Sequence, residues 1–329
     1  MQAGRGNVKP PLGVALEGDL AARIDAVLAV AMLNGFAAKM ESRTIALCTS
    51  RSGLKTAQFV DVVAGFYAPR PLGGVANIGM AEGHGAGDDA PPLAATLALK
   101  NAEGGPRYTS NMKDLRDTAD NAVLIRNILL AQVDQNAAIV LAGPATGLVH
   151  LLNLFGSRPQ IATKVKHLVV AIGAFPSGAA EASVAADAAA ARTLFAEWPT
   201  PIVAVGSEVG AALPYPASSI EKDFAWSQAH PVVDAYRAFK PMPYDAPAPA
   251  LAAALYAVHP DDGYFTTSEP GTISVLADGR TQFAPGANGK HRYLIADPAQ
   301  KDRVTKMYTD MVSAQPVPRG GRGRGGDLE

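Results

Sequence analysis

The sequence has almost no cysteine, almost no net charge and no long apolar run. Cys48 is the only cysteine, which excludes an intrachain disulfide and a zinc site built from several thiolates. The formal net charge is -1, so no electrostatic feature predicts a nucleic-acid partner. No apolar run is long enough to cross a bilayer. The start of the chain lacks the charged and apolar regions of a signal peptide. A cytosolic protein and an exported protein with a trimmed terminus both fit.

The chain is nevertheless rich in core-forming residues. Of its 329 residues, 48% are hydrophobic and 18% are charged, which is enough to bury a large core. We expect a flexible N-terminus over residues 1–11, one large domain over residues 12–313 and a disordered Arg/Gly-rich tail over residues 314–329, because Gly and Pro punctuate the start and the tail has too few apolar residues to fold.

Short apolar runs alternate with helical patterns along the chain. Strands are predicted at Val14 to Leu16, Thr44 to Thr49, Ala137 to Ala142, His167 to Ile172 and Pro201 to Val205. Helical periodicity follows most of them, which predicts an α/β fold with a mostly parallel, Rossmann-like central sheet covered by helices. Near the end, residues 271–295 contain short strands around Asp278 and Gly279, which predicts a small antiparallel hairpin at the sheet edge.

Two segments carry further expectations. Residues 71–92 are so rich in Gly, Pro and Asp that we predict a long loop there, and loops of this length are usually lids, binding loops or disordered. The spacing of apolar residues over residues 218–239 predicts one helix.

Acidic residues cluster where the first strand meets the first helix. Glu17, Asp19 and Asp25 lie between the carboxyl end of the predicted strand and the first helical turn. Open α/β sheets place their ligands at this end. Carboxylates at a helix start also cap N–H groups, so the position alone leaves both a capping and a chemical role open.

The order of several motifs resembles that of the inosine-uridine preferring nucleoside hydrolase family. The stretch E-G-D-L-A-A-R-I-D-A-V-L-A-V-A, from Glu17 to Ala31, aligns without a gap on the family's opening motif in the variant D-T-D-M-G-N-D-I-D-D-A-L-A-L-A. LAGPATGLVHLL resembles the family's G-P-L-T-N turn, KVKHLVVAIGAFPSG the strand ending in M-G-G, and EASVAADAAAA the E-F-N segment. PYDAPAP resembles the late H-D-P motif.

The resemblance implies a hydrolase that cleaves an N-ribosidic bond around a bound Ca²⁺. By position, Asp19 matches the general base and metal ligand, and Asp25 the carboxylate that binds ribose. The other matching metal ligands are Thr146, through its carbonyl, and Asp245, with Glu17 as a further candidate. Calcium takes six to eight oxygen ligands, so such a set of carboxylates and carbonyls suits it.

Several positions depart from the family pattern. Ala26 replaces an Asp that would ligate calcium, and Arg23 replaces another acid. We hypothesise that an arginine here forms a salt bridge with Glu17 or Asp25 and partly replaces the charge of the cation. The other substrate-binding candidates are Glu181 and Ser183 in the E-F-N position, Tyr244 in place of the family histidine near the leaving base, and His84 in the Gly-rich loop.

Two functions remain open on the sequence alone. One is an N-glycosidase that hydrolyses a nucleoside or a related ribosylated small molecule through a carboxylate-activated water. The other is a catalytically degenerate relative that acts as a ligand-binding or assembly module, because a fold persists when an activity is lost. The expected partner is a small ribosylated ligand rather than nucleic acid or a membrane, and the resemblance implies a homo-oligomer, dimer or tetramer.

Overall fold

The computed structural model describes residues 9–67, 78–80 and 91–316. The strands are β1 (Leu12–Gly18), β2 (Ser42–Thr49), β3 (Ile78–Met80), β4 (Ala119–Asp120), β5 (Ala137–Ala142), β6 (Val165–Val170), β7 (Ile202–Ala204), β8 (Thr266–Thr267), β9 (Gly271–Val275), β10 (Thr281–Pro285) and β11 (His291–Ile295). The α-helices are α1 (Ile24–Ala38), α2 (Leu54–Tyr67), α3 (Asn121–Leu130), α4 (Thr146–Asn153), α5 (Ser157–Lys164), α6 (Ala182–Ala186), α7 (Ala188–Glu197), α8 (Ser207–Ala212), α9 (Ala217–Lys222), α10 (Pro231–Phe239), α11 (Pro249–Val258) and α12 (Lys301–Val312). Three short 3₁₀ helices lie at Pro92–Ala98, Leu115–Asp117 and Pro298–Gln300.

All the strands belong to one sheet. Their order is β10-β9-β11-β7-β6-β5-β1-β2-β3-β4, with β8 paired to β11. Pairing is parallel from β4 through to β11 and antiparallel where β9, β10 and β8 join. The predicted α/β fold with a mostly parallel sheet is therefore confirmed. The edge hairpin is confirmed too, since β9 and β10 are joined through Gly279, whose φ of 82° suits a tight turn.

The core has two parts, one on each face of the sheet. Along β1, Val14 and Leu16 face one cluster and Ala15 faces the other, as the alternation of side chains in a strand requires. The helix α1 is buried on nearly every side because α10, α11 and α12 all pack around it. Its burial explains why its sequence is almost continuously apolar rather than amphipathic.

Two local predictions were wrong. Residues 218–239 form two helices, α9 and α10, with a non-helical stretch between them. Pro231 has no N–H to continue a helix and is tolerated at a first turn, so it begins α10. Within the predicted loop 71–92, Ile78–Met80 forms the strand β3. The rest of that segment lies outside the described residues, apart from its last two positions.

Within the described residues, no helix has both the length and the apolar character needed to cross a bilayer.

Candidate functional site

The candidate site lies where the strand order reverses. The chain runs from β1 outward to β4 and then returns to β5 on the other side of β1, so the carboxyl ends of β1 and β5 flank a crevice. Ligands of open α/β sheets bind at such switch points. Gly18 ends β1 so close to the carbonyl of Ala142 that a Cβ at this position would collide with it. The Asp19 N–H then donates to that same carbonyl over 3.2 Å.

Asp19 directly follows β1, at the carboxyl end of the strand. Its side chain is 15% exposed, and its Oδ1 accepts a hydrogen bond from the Ser50 hydroxyl over 2.5 Å. The Nε of Arg51 lies 3.3 Å from the same oxygen. Ser50 and Arg51 directly follow β2, the neighbour of β1, so the parallel pairing brings them beside Asp19. The Ser50 hydroxyl and the Arg51 guanidinium therefore orient the carboxylate of Asp19. Water can still reach it, because part of its surface is exposed.

Asp25 is held by two groups. Arg23 forms two parallel hydrogen bonds with its carboxylate, Nε to Oδ1 at 3.1 Å and Nη2 to Oδ2 at 2.8 Å. The N–H of Ala250, at the start of α11, also donates to Oδ2 over 3.1 Å. The residue is only 5% exposed. The hypothesised arginine salt bridge is therefore present, and its partner is Asp25.

The same guanidinium reaches the opposite side of the crevice. Its Nη1 donates to the hydroxyl of the buried Ser183 over 3.2 Å and lies 3.5 Å from the carbonyl of Ala171, just after β6. Burial alone would lower the pKa of Arg23, but the charge and hydrogen bonds of Asp25, with Glu181 and Asp19 further away, raise it above its usual value. Arg23 is therefore a permanent cation between these acids.

Glu181 has a local structural contact at this site. Its Oε2 accepts hydrogen bonds from the N–H groups of Val184 and Gly173, both at 3.3 Å, so it caps the short helix α6. This position lies close enough to Arg23 to influence its pKa. The Arg23 guanidinium thus lies among Asp19, Asp25, Glu181 and Ser183, and we call these five residues the Arg23 cluster. The roles of the four partners as base and substrate-binding residues stay predictions.

Thr146 is the first residue of α4 and is mostly buried. Its hydroxyl donates to Oδ2 of Asp187 over 2.8 Å, and Oδ1 of Asp187 caps α7 through the N–H of Ala190. This bond ties α4 to α7. The predicted metal ligand is the carbonyl of Thr146, which in the first helical turn points along the helix axis toward its carboxyl end.

The late motif at Tyr244 and Asp245 makes other contacts than those expected. The Tyr244 hydroxyl donates to the carbonyl of Tyr236 over 2.7 Å, and the two rings stack with centroids 4.4 Å apart. Asp245 is exposed and its Oδ1 accepts from the N–H of Ala217, at the start of α9. Neither bond involves a residue of the Arg23 cluster, so the observed contacts give no support to a ligand role for Asp245 or a leaving-group role for Tyr244.

The amino end of α11, and not the Asp245 segment, contacts the Arg23 cluster. Ala248 is its N-cap residue, Pro249 its first helical residue, and the following N–H binds Asp25. The residue before this proline is an alanine and offers no carboxylate to the site.

Glu17 lies inside the protein. It is fully buried on β1 and packs against Gly147 of α4, and among the described residues neither of its oxygens has a hydrogen-bond partner of normal geometry. Burial raises the pKa of its carboxyl to about 8, although the nearby Asn121 amide acts in the opposite direction. The role of Glu17 as a further metal ligand stays a prediction.

The residues present do not fit a calcium ion. Within the ranges 9–67, 78–80 and 91–316, no three His, Cys, Asp or Glu side chains are grouped so that they could hold a metal. Ala26 is completely buried and brings only a methyl group. Asp25 is already paired with a guanidinium. Calcium therefore stays an expectation from the family resemblance alone.

Two residues of the site were missed by sequence reasoning, and one cannot be placed. Ser50 and Arg51 contact Asp19, and the signal that would have found them is that polar residues follow the predicted strand adjoining β1. His84 lies outside the described residues, so its predicted contact with a bound base stays a prediction.

Comparisons with known proteins agree on the fold. A family model described as inosine-uridine preferring nucleoside hydrolase matches residues 20–309. A plant nucleoside hydrolase superposes with a TM-score of 0.70 at 17% identity, covering 93% of this chain and 100% of its own. A purine-preferring ribonucleoside hydrolase from Gardnerella vaginalis gives 0.64 at 16% identity, covering 92% and 98%. The type III effector protein XopQ, solved in complex with adenosine diphosphate ribose, gives 0.65 at 13% identity, covering 94% and 96%. A comparison with curated protein sequences gives no match.

Proposed function

The chain belongs to the inosine-uridine preferring nucleoside hydrolase family, and we propose that it hydrolyses the N-ribosidic bond of a nucleoside or of a related ribosylated small molecule. The observation that carries this proposal is the placement of Asp19. It follows β1 at the topological switch point, keeps part of its surface open to water and is oriented by Ser50.

In this proposal Asp19 acts as the general base. Its carboxylate takes a proton from a water molecule, and the water oxygen bonds to C1′ of the ribose as the bond from C1′ to the base nitrogen breaks. The leaving nitrogen keeps the electron pair of that bond and takes a proton from solvent, and Asp19 returns its own proton to solvent. The sugar passes through a state with oxocarbenium character. Until it accepts that proton, the Asp19 carboxylate is negative and stabilises the positive charge that develops on the sugar.

The other residues around Arg23 would hold the ribose. The Ser183 hydroxyl and the Glu181 carboxylate lie on the side of the crevice opposite Asp25. Hydroxyl and carboxylate groups of this kind bind sugar hydroxyls, so the diol of the ribose fits between them.

The test measures release of the free base from inosine, uridine, adenosine, guanosine and cytidine by liquid chromatography. Asp19→Asn removes the base while keeping the size of the side chain, and general-base catalysis is usually worth about 100-fold or more in rate. Asp134→Asn is the matched control, because Asp134 pairs with Lys164 far from the crevice. No release by the wild type, or equal release by Asp19→Asn, rejects the hydrolase.

A ligand-binding module without turnover is the second candidate, and a specific observation favours it. Asp25, the predicted ribose ligand, is almost fully buried and already accepts hydrogen bonds from Arg23 and Ala250. Calorimetric titration with the same nucleosides and with adenosine diphosphate ribose, the ligand of one structural neighbour, separates the two functions. Saturable binding without base release supports the module. The expected dimer or tetramer is checked separately by light scattering.

A further inference from the structure

The feature that carries a further inference is the bonding of Arg23. Its guanidinium makes a two-bond ion pair with Asp25, a third bond to Ser183 and a close approach to the carbonyl of Ala171. One of these partners, Asp25, follows β1, and the other two, Ala171 and Ser183, lie in the chain that follows β6. The guanidinium therefore ties the two sides of the crevice together as a multivalent cation would.

The positions that would build a metal cage have changed together. Arg23 and Ala26 stand where the family motif has acids, and Ala248 precedes the helix start that adjoins Asp25. The site has lost carboxylates and gained a fixed positive charge. The remaining buried carboxylate, Asp25, has its charge balanced by the guanidinium at 2.8 Å.

A divalent ion beside this guanidinium would be repelled strongly. The ion would also lack enough available oxygen ligands, because calcium takes six to eight and Asp25 and Glu181 are already hydrogen-bonded to other groups. Occupation by Arg23 and occupation by calcium are thus mutually exclusive.

We infer that the Arg23 guanidinium is the resident cation of the site and that the protein binds its ligand without a divalent metal. A guanidinium donates hydrogen bonds to hydroxyl oxygens in a fixed direction, so it suits a ribose diol; this part of the inference rests on the proposed function. It cannot lower the pKa of a coordinated water as a metal does, so the activation of water falls to Asp19.

The first test is calcium titration of the wild-type protein after treatment with a chelator. We expect no saturable heat in calorimetry up to millimolar calcium and the same Tm in calcium and in chelator. Saturable binding in the micromolar range, or a Tm raised by several degrees in calcium, overturns the inference. This readout does not depend on activity, so a protein that releases no base can still support it, and an active protein that needs calcium rejects it.

The second test restores the two acids with the double variant Arg23→Asp, Ala26→Asp. We expect saturable calcium binding and a Tm that rises with calcium. The control is Arg43→Asp, which makes the same substitution at the amino end of β2, where Arg43 bonds to Pro11 and Gln132; it should gain no calcium binding. If the double variant folds but binds no calcium, the inference that Arg23 occupies the place of the metal is refuted.

A third measurement covers the case in which the double variant does not fold. Arg23→Ala is titrated with methylguanidinium at concentrations below those that denature, with Arg43→Ala as its control. A saturable rise in Tm confined to Arg23→Ala supports a cation-specific site. A rise in Tm of Arg23→Ala that is no larger than that of Arg43→Ala refutes it.

Discussion

The fully buried Glu17 predicts an unusual dependence of stability on pH. Its carboxyl sits on β1 beside Cys48 of β2 and under Gly147 of α4, with no exposed surface. Burial raises the pKa from its ordinary value of 4.5 to about 8 in the folded protein. In the unfolded chain the same side chain is in water and ionises near its ordinary value.

The sign and the magnitude follow from linkage. Between roughly pH 4.5 and pH 8 the unfolded chain has released the proton of Glu17 and the folded protein has kept it, so the free energy of unfolding falls as pH rises. The slope is about 1.4 kcal/mol per pH unit for one proton, which gives roughly 5 kcal/mol across the whole interval. Below this interval both states are protonated and above it both are ionised, so the contribution of Glu17 is flat at either end.

Glu17→Gln removes the titrating group and should remove this slope. The free energy of unfolding is measured by urea denaturation for both proteins at several values from about pH 5 to about pH 8.5, and the stability of the variant relative to wild type should increase with pH. Glu103→Gln, at an exposed position, should follow the wild-type curve. Parallel curves for Glu17→Gln and wild type would refute a neutral, buried Glu17.

Three further predictions concern single contacts. Tyr244→Phe removes the bond to the Tyr236 carbonyl and should cost about 1 kcal/mol in urea denaturation with no change in base release; a selective loss of activity would restore Tyr244 to the leaving-group role. Asp187→Ala removes a cap of α7 and the tie to α4 and should cost about 1 to 3 kcal/mol by the same measurement. Gly147→Ala should lower Tm because its Cβ would collide with Glu17. The loss of Tm should be smaller when Glu17 is also changed to Ala. An equal loss in both backgrounds would show that the collision does not govern this position.

The fold was predictable because its signals are local and repeated. Each buried strand is a short apolar run and each helix follows with its own period, so the parallel sheet could be predicted without knowing any long-range contact. The break at Pro231 was missed although its cause is local, since a proline inside a helical pattern is a start signal as well as a breaker. The strand β3 is only three residues long, and a run so short has too few residues to show a period.

The site was predictable only where it is attached to β1. Asp19 and Asp25 follow one strand, so the sequence alone predicts that both lie at one end of the sheet, as the structure shows; their roles stay predictions. Asp245 lies in a proline-rich connection, and which of its residues adjoins the crevice depends on how that connection folds against α9 and α10. A resemblance between motifs does not determine this, and the contact of the Ala250 N–H with Asp25 could be found only in the structure.

The changes at positions 23 and 26 make physical sense only as a pair. Asp25 is buried, and a buried carboxylate without a partner costs several kcal/mol. If the metal were lost while both neighbouring acids remained, their negative charges would lie together in a region of low dielectric constant with nothing to balance them. Ala26 removes one charge, and Arg23 balances the charge of Asp25 and adds a hydrogen bond to Ser183. The substitutions that remove the expected calcium cage are therefore those that let the rest of the site stay folded without it.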